Sequence, residues 1–237
     1  MIWFIIILLI TVILFLFLKK KSSEGFENHF DIYVITLKRE DRLKNIEKQQ
    51  QKINIPIQLF DAVKGDNLDL NKIVNLKKDG HFYENEIQKK REIGCYLSHY
   101  NIYKKCKKTG YTIIFEDDFS IDVDNLIDKI DKSIQKLKNK NVDFDIMYIG
   151  NHVWNKKHGS LIVDDLYKIG NNEDLGGTHA YVINNKNIDK IIENTKVIDM
   201  AIDVKIQRMA DEKKINVIKT YPYYVNTDDL TSTIVID

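Results

Sequence analysis

The strongest constraint on this chain is a series of short apolar runs separated by stretches with helical spacing. Ile32-Tyr33-Val34-Ile35 is rich in β-branched and aromatic residues, the pattern of a strand buried on both faces. Ile57 to Val63, Tyr111 to Phe115, Ile146 to Ile149, Leu166 to Ile169 and Ala180 to Ile183 read as further strands. Helical spacing runs from about Arg39 to Gln51, ending before Pro56, and again from Val123 to Leu137. Glu92 to Cys106 carries Ile93, Tyr96, Leu97 and Tyr100 on one side, with Gly110 as its expected C-cap. Two more helices are expected after the last of these strands. Strands alternating with helices predict an α/β domain around a mostly parallel central sheet, over residues 30–237. The chain has no internal repeat and no glycine-rich phosphate loop.

The first residues break from this pattern. Ile2 to Leu18 is apolar apart from Thr11. At about 1.5 Å per residue it spans roughly 25 Å, most of a bilayer core. A cleaved signal peptide wants charge before such a run and small residues after it, and neither is present. Residues 1–21 therefore read as one retained transmembrane helix, with residues 22–29 as a short tether. Lys19, Lys20 and Lys21 follow the span, and positive charge favours the cytoplasmic side, so the domain is expected to face the cytoplasm. No Asn-x-Ser/Thr acceptor occurs, which fits that side. Cys95 and Cys106, expected on one helix about 16 Å apart along its axis, are too far apart to pair and read as free thiols. The formal net charge is +1, so no overall field points to nucleic acid.

One site stands out chemically. Glu116-Asp117-Asp118 directly follows the apolar strand Tyr111 to Phe115. Three adjacent carboxylates at a buried strand end repel one another unless a cation neutralises them. Mg²⁺ or Mn²⁺ suits oxygen ligands, with substrate phosphates completing its shell. Ligands in open α/β sheets bind beyond the carboxyl ends of strands, where this triplet falls. The alternative is a solvated acidic turn that caps the following helix.

Four separated segments carry a resemblance. They are Tyr33-Val34-Ile35-Thr36-Leu37-Lys38-Arg39-Glu40-Asp41-Arg42, Glu92-Ile93-Gly94-Cys95-Tyr96-Leu97-Ser98-His99, Ile113-Ile114-Phe115-Glu116-Asp117-Asp118 and Gly176-Gly177-Thr178-His179-Ala180-Tyr181-Val182-Ile183. In this order they resemble glycosyltransferase family 25, which includes lipooligosaccharide and collagen galactosyltransferases. The resemblance implies a GT-A (Rossmann-like) fold, a UDP-sugar donor carrying galactose or glucose, Mn²⁺ (or Mg²⁺), and inversion at the anomeric carbon. It implies a glycan, lipid-linked or protein acceptor.

The resemblance also distributes roles. Asp118 is expected to ligate the metal, with Glu116 and Asp117 orienting the ribose or the metal's water shell. Arg39 and Arg42 would reach the nucleotide, since guanidinium matches phosphate bidentately; alternatively they pair with Glu40 or Asp41 at the helix start. Gly176 and Gly177 would let backbone approach the donor sugar, or form a plain turn. Ser98 and His99 either contact substrate or pin their helix to the sheet. No nucleophile elbow surrounds Ser98, so it is not read as a nucleophile. Asp203 is expected to be the general base, with Asp174 and Glu173 as alternatives, or else a helix N-cap. Tyr221-Pro222-Tyr223-Tyr224-Val225 fits the family's closing Pro-x-x-Val. Asn226 and Thr227 stand where relatives often carry Gln, which leaves the last metal ligand unidentified. Trp154 is a candidate for stacking on an acceptor ring, or ordinary loop packing. Two rival functions remain at this level: another metal-dependent nucleotide-processing transferase, or a membrane-tethered binding protein on an inactive glycosyltransferase fold.

Overall fold

The computed structural model describes residues 29–152, 159–170 and 175–227. The expected anchor over 1–21, most of the tether, Trp154, Glu173 and Asp174 lie outside the described residues. Among the described residues no helix is long and apolar enough to cross a membrane.

An eight-stranded sheet organises the chain, in the order β2-β1-β4-β9-β6-β11-β8-β7. Its strands are β1 (Phe30–Thr36), β2 (Gln58–Asp61), β4 (Tyr111–Glu116), β6 (Ile146–His152), β7 (Ser160–Val163), β8 (Leu166–Lys168), β9 (Gly176–Asn184) and β11 (Val217–Thr220). β1 pairs in parallel with both β2 and β4, and β6 with β11. β9 enters antiparallel between β4 and β6, and β8 runs antiparallel to β11 and β7. The sheet is thus mixed, with most strands pointing one way. Two small sheets flank it: β3 (Leu76–His81) with β10 (Ile198–Met200), and β5 (Phe119–Ile121) with β12 (Val225–Thr227).

Residue alternation explains the layering. Neighbouring strand residues point to opposite faces. Ile32, Val34, Ile113, Phe115, Met147, Ile149 and Val182 enter one apolar cluster, and Ile35, Ile114, Ile146, Tyr148, Tyr181 and Ile183 the other. Helices α1 (Glu40–Gln50) and α3 (Leu126–Asn139) cover the first face. Along α3, Leu126, Ile127, Ile130, Ile134 and Leu137 recur at helical intervals and are buried. Helices α2 (Glu86–Tyr103), α4 (Ile188–Thr195) and α5 (Ile202–Asp211) cover the second face.

Three local expectations are corrected. Helix α2 starts at Glu86, capped by Asn85, whose side chain accepts from the N–H groups of Ile87 and Gln88. It ends at Tyr103, because Lys105 and Cys106 N–H both turn back to the Ile102 carbonyl. Gly110 therefore does not cap a helix but leads into β4. Cys106 lies past the helix end, and both cysteines are free thiols. Leu76–His81, which falls in none of the strands expected from sequence, forms β3 and pairs with β10.

The carboxyl ends of β1, β4 and β6 share one edge of the sheet. Because β9 runs the opposite way, it brings its first residues, Gly176 to Thr178, to that same edge.

Candidate active site

Glu116 is the last residue of β4, and Asp117-Asp118 form the turn into β5. The turn leads into a strand, so the triplet does not cap a following helix. It is also largely shielded from solvent. Helix α1 fastens it from behind through an inner polar stripe. Arg42, 2 % exposed, places Nη1 3.2 Å from Asp118 Oδ2 and 3.5 Å from Asp117 Oδ1. Asn45 Nδ2 donates to the carbonyls of Asp117 (3.1 Å) and Phe119 (2.9 Å). Gln49 Nε2 donates to Asn45 Oδ1, and Gln49 Oε1 accepts the Ile121 N–H at 3.1 Å. The Arg42 guanidinium thus faces Asp117 and Asp118 and clamps the acidic turn. Arg39 does form the helix-start pair, as a fork on Asp41 at 3.1 and 2.7 Å, at the mouth of a cavity.

Two cavities meet at this turn. One, of about 430 Å³, lies between the end of β1, the loop after β2 and helix α2, and reaches Arg39, Asp66, Arg91, Ser98, Glu116 and Asp117. The other, of about 400 Å³, holds Asp118 and Asp203 together with Glu92, His152, Gly177 and His179. Both fall in the size range of small-molecule sites, roughly 300–1,000 Å³. Cys95 and Glu116 border both.

The carboxylates differ electrostatically. Burial works to raise the Glu116 carboxyl, but His99, the Thr178 hydroxyl and His179 hold it below the usual range. Thr178 Oγ1 donates to Glu116 Oε1 at 2.6 Å. Asp118 is pushed up to about 6, by burial first and the Glu116 charge second, against Arg42. Burial likewise raises Asp117. Among the described residues, Asp118 Oδ1 is buried without a hydrogen-bond partner. A buried, unpartnered carboxylate oxygen beside two further carboxylates is the donor chemistry that a hard divalent cation requires, so the residues present fit Mn²⁺ or Mg²⁺.

Asp203 lies in the first turn of α5, whose N-cap is Ala201, so it is not the cap. Its Oδ2 accepts the Gly177 N–H at 3.0 Å and its Oδ1 the Val204 N–H at 2.8 Å. Gly177 has φ +75° and its ideal Cβ would stand 2.7 Å from the His152 ring, so only glycine fits there. Gly176, one residue earlier, pairs with His152 across the sheet.

Ser98 is a fastener. Its Oγ accepts the Val63 N–H at 2.9 Å and donates to the Gly94 carbonyl at 2.8 Å. His99 is fully buried, with Nδ1 2.7 Å from the Tyr181 hydroxyl. Cys95, His99 and Glu116 offer ligand atoms that all lie within 4.8 Å of one another.

Several participants were not singled out from sequence: Asn45, Gln49, Glu92, His152, Thr178 and His179. Burial lowers the His179 imidazole to about 4. Thr178 and His179 directly follow the glycine pair, and the polar spacing Arg42, Asn45, Gln49 on one helical face was a legible signal of a buried polar stripe. Thr227, on β12, also lines the second cavity, and Asn226 contacts Asp122.

Residues 29–206 match the family described as "Glycosyltransferase family 25 (LPS biosynthesis protein)". "Procollagen galactosyltransferase 1-A" of Xenopus laevis is 28 % identical over 130 residues, 51 % of this chain and 21 % of that protein. "Procollagen galactosyltransferase 1" of Danio rerio is 25 % identical over 181 residues, 73 % of this chain and 30 % of that protein. "Probable inactive glycosyltransferase 25 family member 3" of Rattus norvegicus is 28 % identical over 140 residues, 56 % of this chain and 24 % of that protein. The chain therefore spans about a fifth to a third of the length of these relatives, which include proteins named as galactosyltransferases and one named as inactive. With the family's match extending over most of the described residues, the chain belongs to glycosyltransferase family 25.

Proposed function

We propose that this chain is an active, inverting glycosyltransferase of GT-A type. It moves galactose or glucose from a UDP-sugar to an acceptor hydroxyl, with Mn²⁺ or Mg²⁺ held at Asp118. The observation that carries the reading is the second cavity, where Asp118 and Asp203 line one space, with one Asp118 oxygen unpartnered among the described residues. A divalent cation bound at Asp118 would neutralise the charge of the departing diphosphate.

The first cavity suits the nucleotide. Arg39 stands at its mouth, and Glu116 and Asp117 reach its inner end. Arg42 keeps the acidic turn in place and leaves the front of Asp118 to the donor. The sugar then lies over Gly177, toward Asp203. The acceptor oxygen attacks the anomeric carbon opposite the leaving group, so the carbon–oxygen bond to UDP breaks as the new one forms. Asp203 takes the hydroxyl proton. Its two backbone N–H donors fix the carboxylate and leave lone pairs for that proton.

The test is UDP release from a panel of UDP-sugars by the full-length chain, with Asp118→Asn in parallel. UDP release that needs Mn²⁺ or Mg²⁺ and Asp118 supports the reading. A chain that releases UDP from none of them, and is not thermally stabilised by UDP with Mn²⁺, belongs with the inactive relatives.

The lysines after the apolar run and the missing glycosylation acceptors support a membrane-anchored domain facing the cytoplasm. Protease protection in sealed microsomes, or digestion from outside intact spheroplasts, would overturn that orientation.

A further inference from the structure

On the α2 side of the acidic turn three donor atoms of different kinds converge. Cys95 and His99 are one helical turn apart on α2 and so share a face. Glu116 closes the group from the end of β4. His99 Nε2 stands 3.4 Å from Glu116 Oε1. Two ligand atoms each about 2.0–2.1 Å from a zinc ion, at the tetrahedral angle, lie about 3.3–3.4 Å apart. The nitrogen and oxygen are therefore already spaced as a tetrahedral ion would hold them. A thiolate bonded at about 2.3 Å would sit about 3.6 Å from each of the others. Cys95 Sγ, within 4.8 Å of both, closes that gap with a small side-chain movement.

The surroundings of His99 point the same way. The ring is fully buried, and among the described residues Nε2 has no hydrogen-bond partner, only the Glu116 carboxylate at 3.4 Å. Nδ1 is held by the Tyr181 hydroxyl at 2.7 Å, and that hydroxyl meets Tyr103 Oη at 2.9 Å. A ligating imidazole is oriented in this manner, with its second nitrogen fixed by an outer partner. The buried nitrogen faces the Glu116 carboxylate, so either a proton or a metal cation must stand between them, and the nearby Cys95 sulfur favours the metal. Cys95 and Glu116 border both cavities, which gives an ion a path in.

We propose that Cys95, His99 and Glu116 form a site for a zinc-class divalent cation, with its fourth position open to the cleft. The thiol proton passes to solvent as the metal–sulfur bond forms. Sulfur and imidazole nitrogen select zinc over Mg²⁺ or Mn²⁺, so this site is chemically separate from the oxygen ligand at Asp118. An ion here occupies the Glu116 carboxylate at the junction of the two cavities. The inference concerns binding alone and stands whether or not the chain transfers sugar.

Cobalt(II) is the probe, added to the reduced full-length chain without a histidine tag. One equivalent is expected to produce a thiolate-to-cobalt charge-transfer band in the near ultraviolet. Zn²⁺ should abolish the band and excess Mg²⁺ should not. Cys95→Ser should lose it and Cys106→Ser should keep it. Absence of the band in the wild type, or its persistence in Cys95→Ser, overturns the site. A fold-independent check uses the unaltered protein: Zn²⁺ should slow alkylation of Cys95 by iodoacetamide, read by peptide mass, and leave Cys106 unaffected. Unchanged alkylation of Cys95 would equally overturn it.

Discussion

Replacing Arg42 by methionine removes a cation that faces both aspartates of the acidic turn while keeping much of the side chain's volume. Asp118 is held at about 6 even with Arg42 beside it, against an ordinary 3.8. Those roughly two pKa units correspond to about 3 kcal/mol of disfavoured charge at neutral pH. Removing one partner of a buried ion pair costs about 3–5 kcal/mol. Asp117 and Asp118 are 18 % and 22 % exposed, so the lower end applies. We expect Arg42→Met to lose about 3 kcal/mol at pH 7, read by urea denaturation. Both aspartates sit above their ordinary range, so the folded state gains protons before the unfolded state does. Acidification from pH 7 to 5 should therefore narrow the gap between variant and wild type. Saturating Mn²⁺ should narrow it as well, by supplying the missing positive charge. An equal loss at both pH values, with no recovery in Mn²⁺, would show that Arg42 acts only through packing.

Three further expectations follow from the same geometry. Asp118→Asn should abolish Mn²⁺-dependent UDP binding without lowering the melting temperature of the metal-free protein, because it deletes a penalised charge; a clear loss of stability would assign Asp118 a structural role. Asp203→Asn should cut transfer by about 10²–10⁴-fold with UDP affinity kept. Glu92→Gln is the control, since Glu92 lines the same cavity with its carboxyl raised by burial, and a larger loss there would move the base to Glu92. His179 is neutral when folded, at about 4 against 6.5 unfolded, so the unfolded state takes up a proton first as pH falls through that window. Stability should drop by up to about 3 kcal/mol between pH 6.5 and 4 on its account, and His179→Asn should flatten that slope in denaturation curves; an unchanged slope refutes it.

Much of the architecture was written in local pattern. β1, β4 and the core of β9 are apolar runs that only a covered sheet can hold, and α3 shows its buried stripe in the spacing of its isoleucines and leucines. The direction of β9 was not legible, because a continuous apolar run has no face to orient and nothing in it distinguishes parallel from antiparallel pairing. The acidic triplet announced itself by its cost. Its support did not: Arg42 read as a nucleotide contact or a partner for its neighbours, and the aspartates its guanidinium faces lie more than seventy positions away. Ser98, left open by the sequence between substrate contact and pinning its helix, fastens the loop at Val63 to the helix. His152 and His179 are brought together only by the pairing of β6 with β9, which no short stretch of sequence encodes.

The late arrival of β9 also has a consequence during synthesis. β4 ends at Glu116 and its second partner begins at Gly176, about sixty residues later. At about 5–20 residues per second, a ribosome leaves Tyr111-Thr112-Ile113-Ile114-Phe115 with one unpaired backbone edge for roughly 3–12 s. An apolar strand with an open edge is a template for pairing with other chains. Nascent chains that stall before residue 176 thus emerge with this apolar edge uncovered, and chaperone capture of the folding domain should concentrate in that interval.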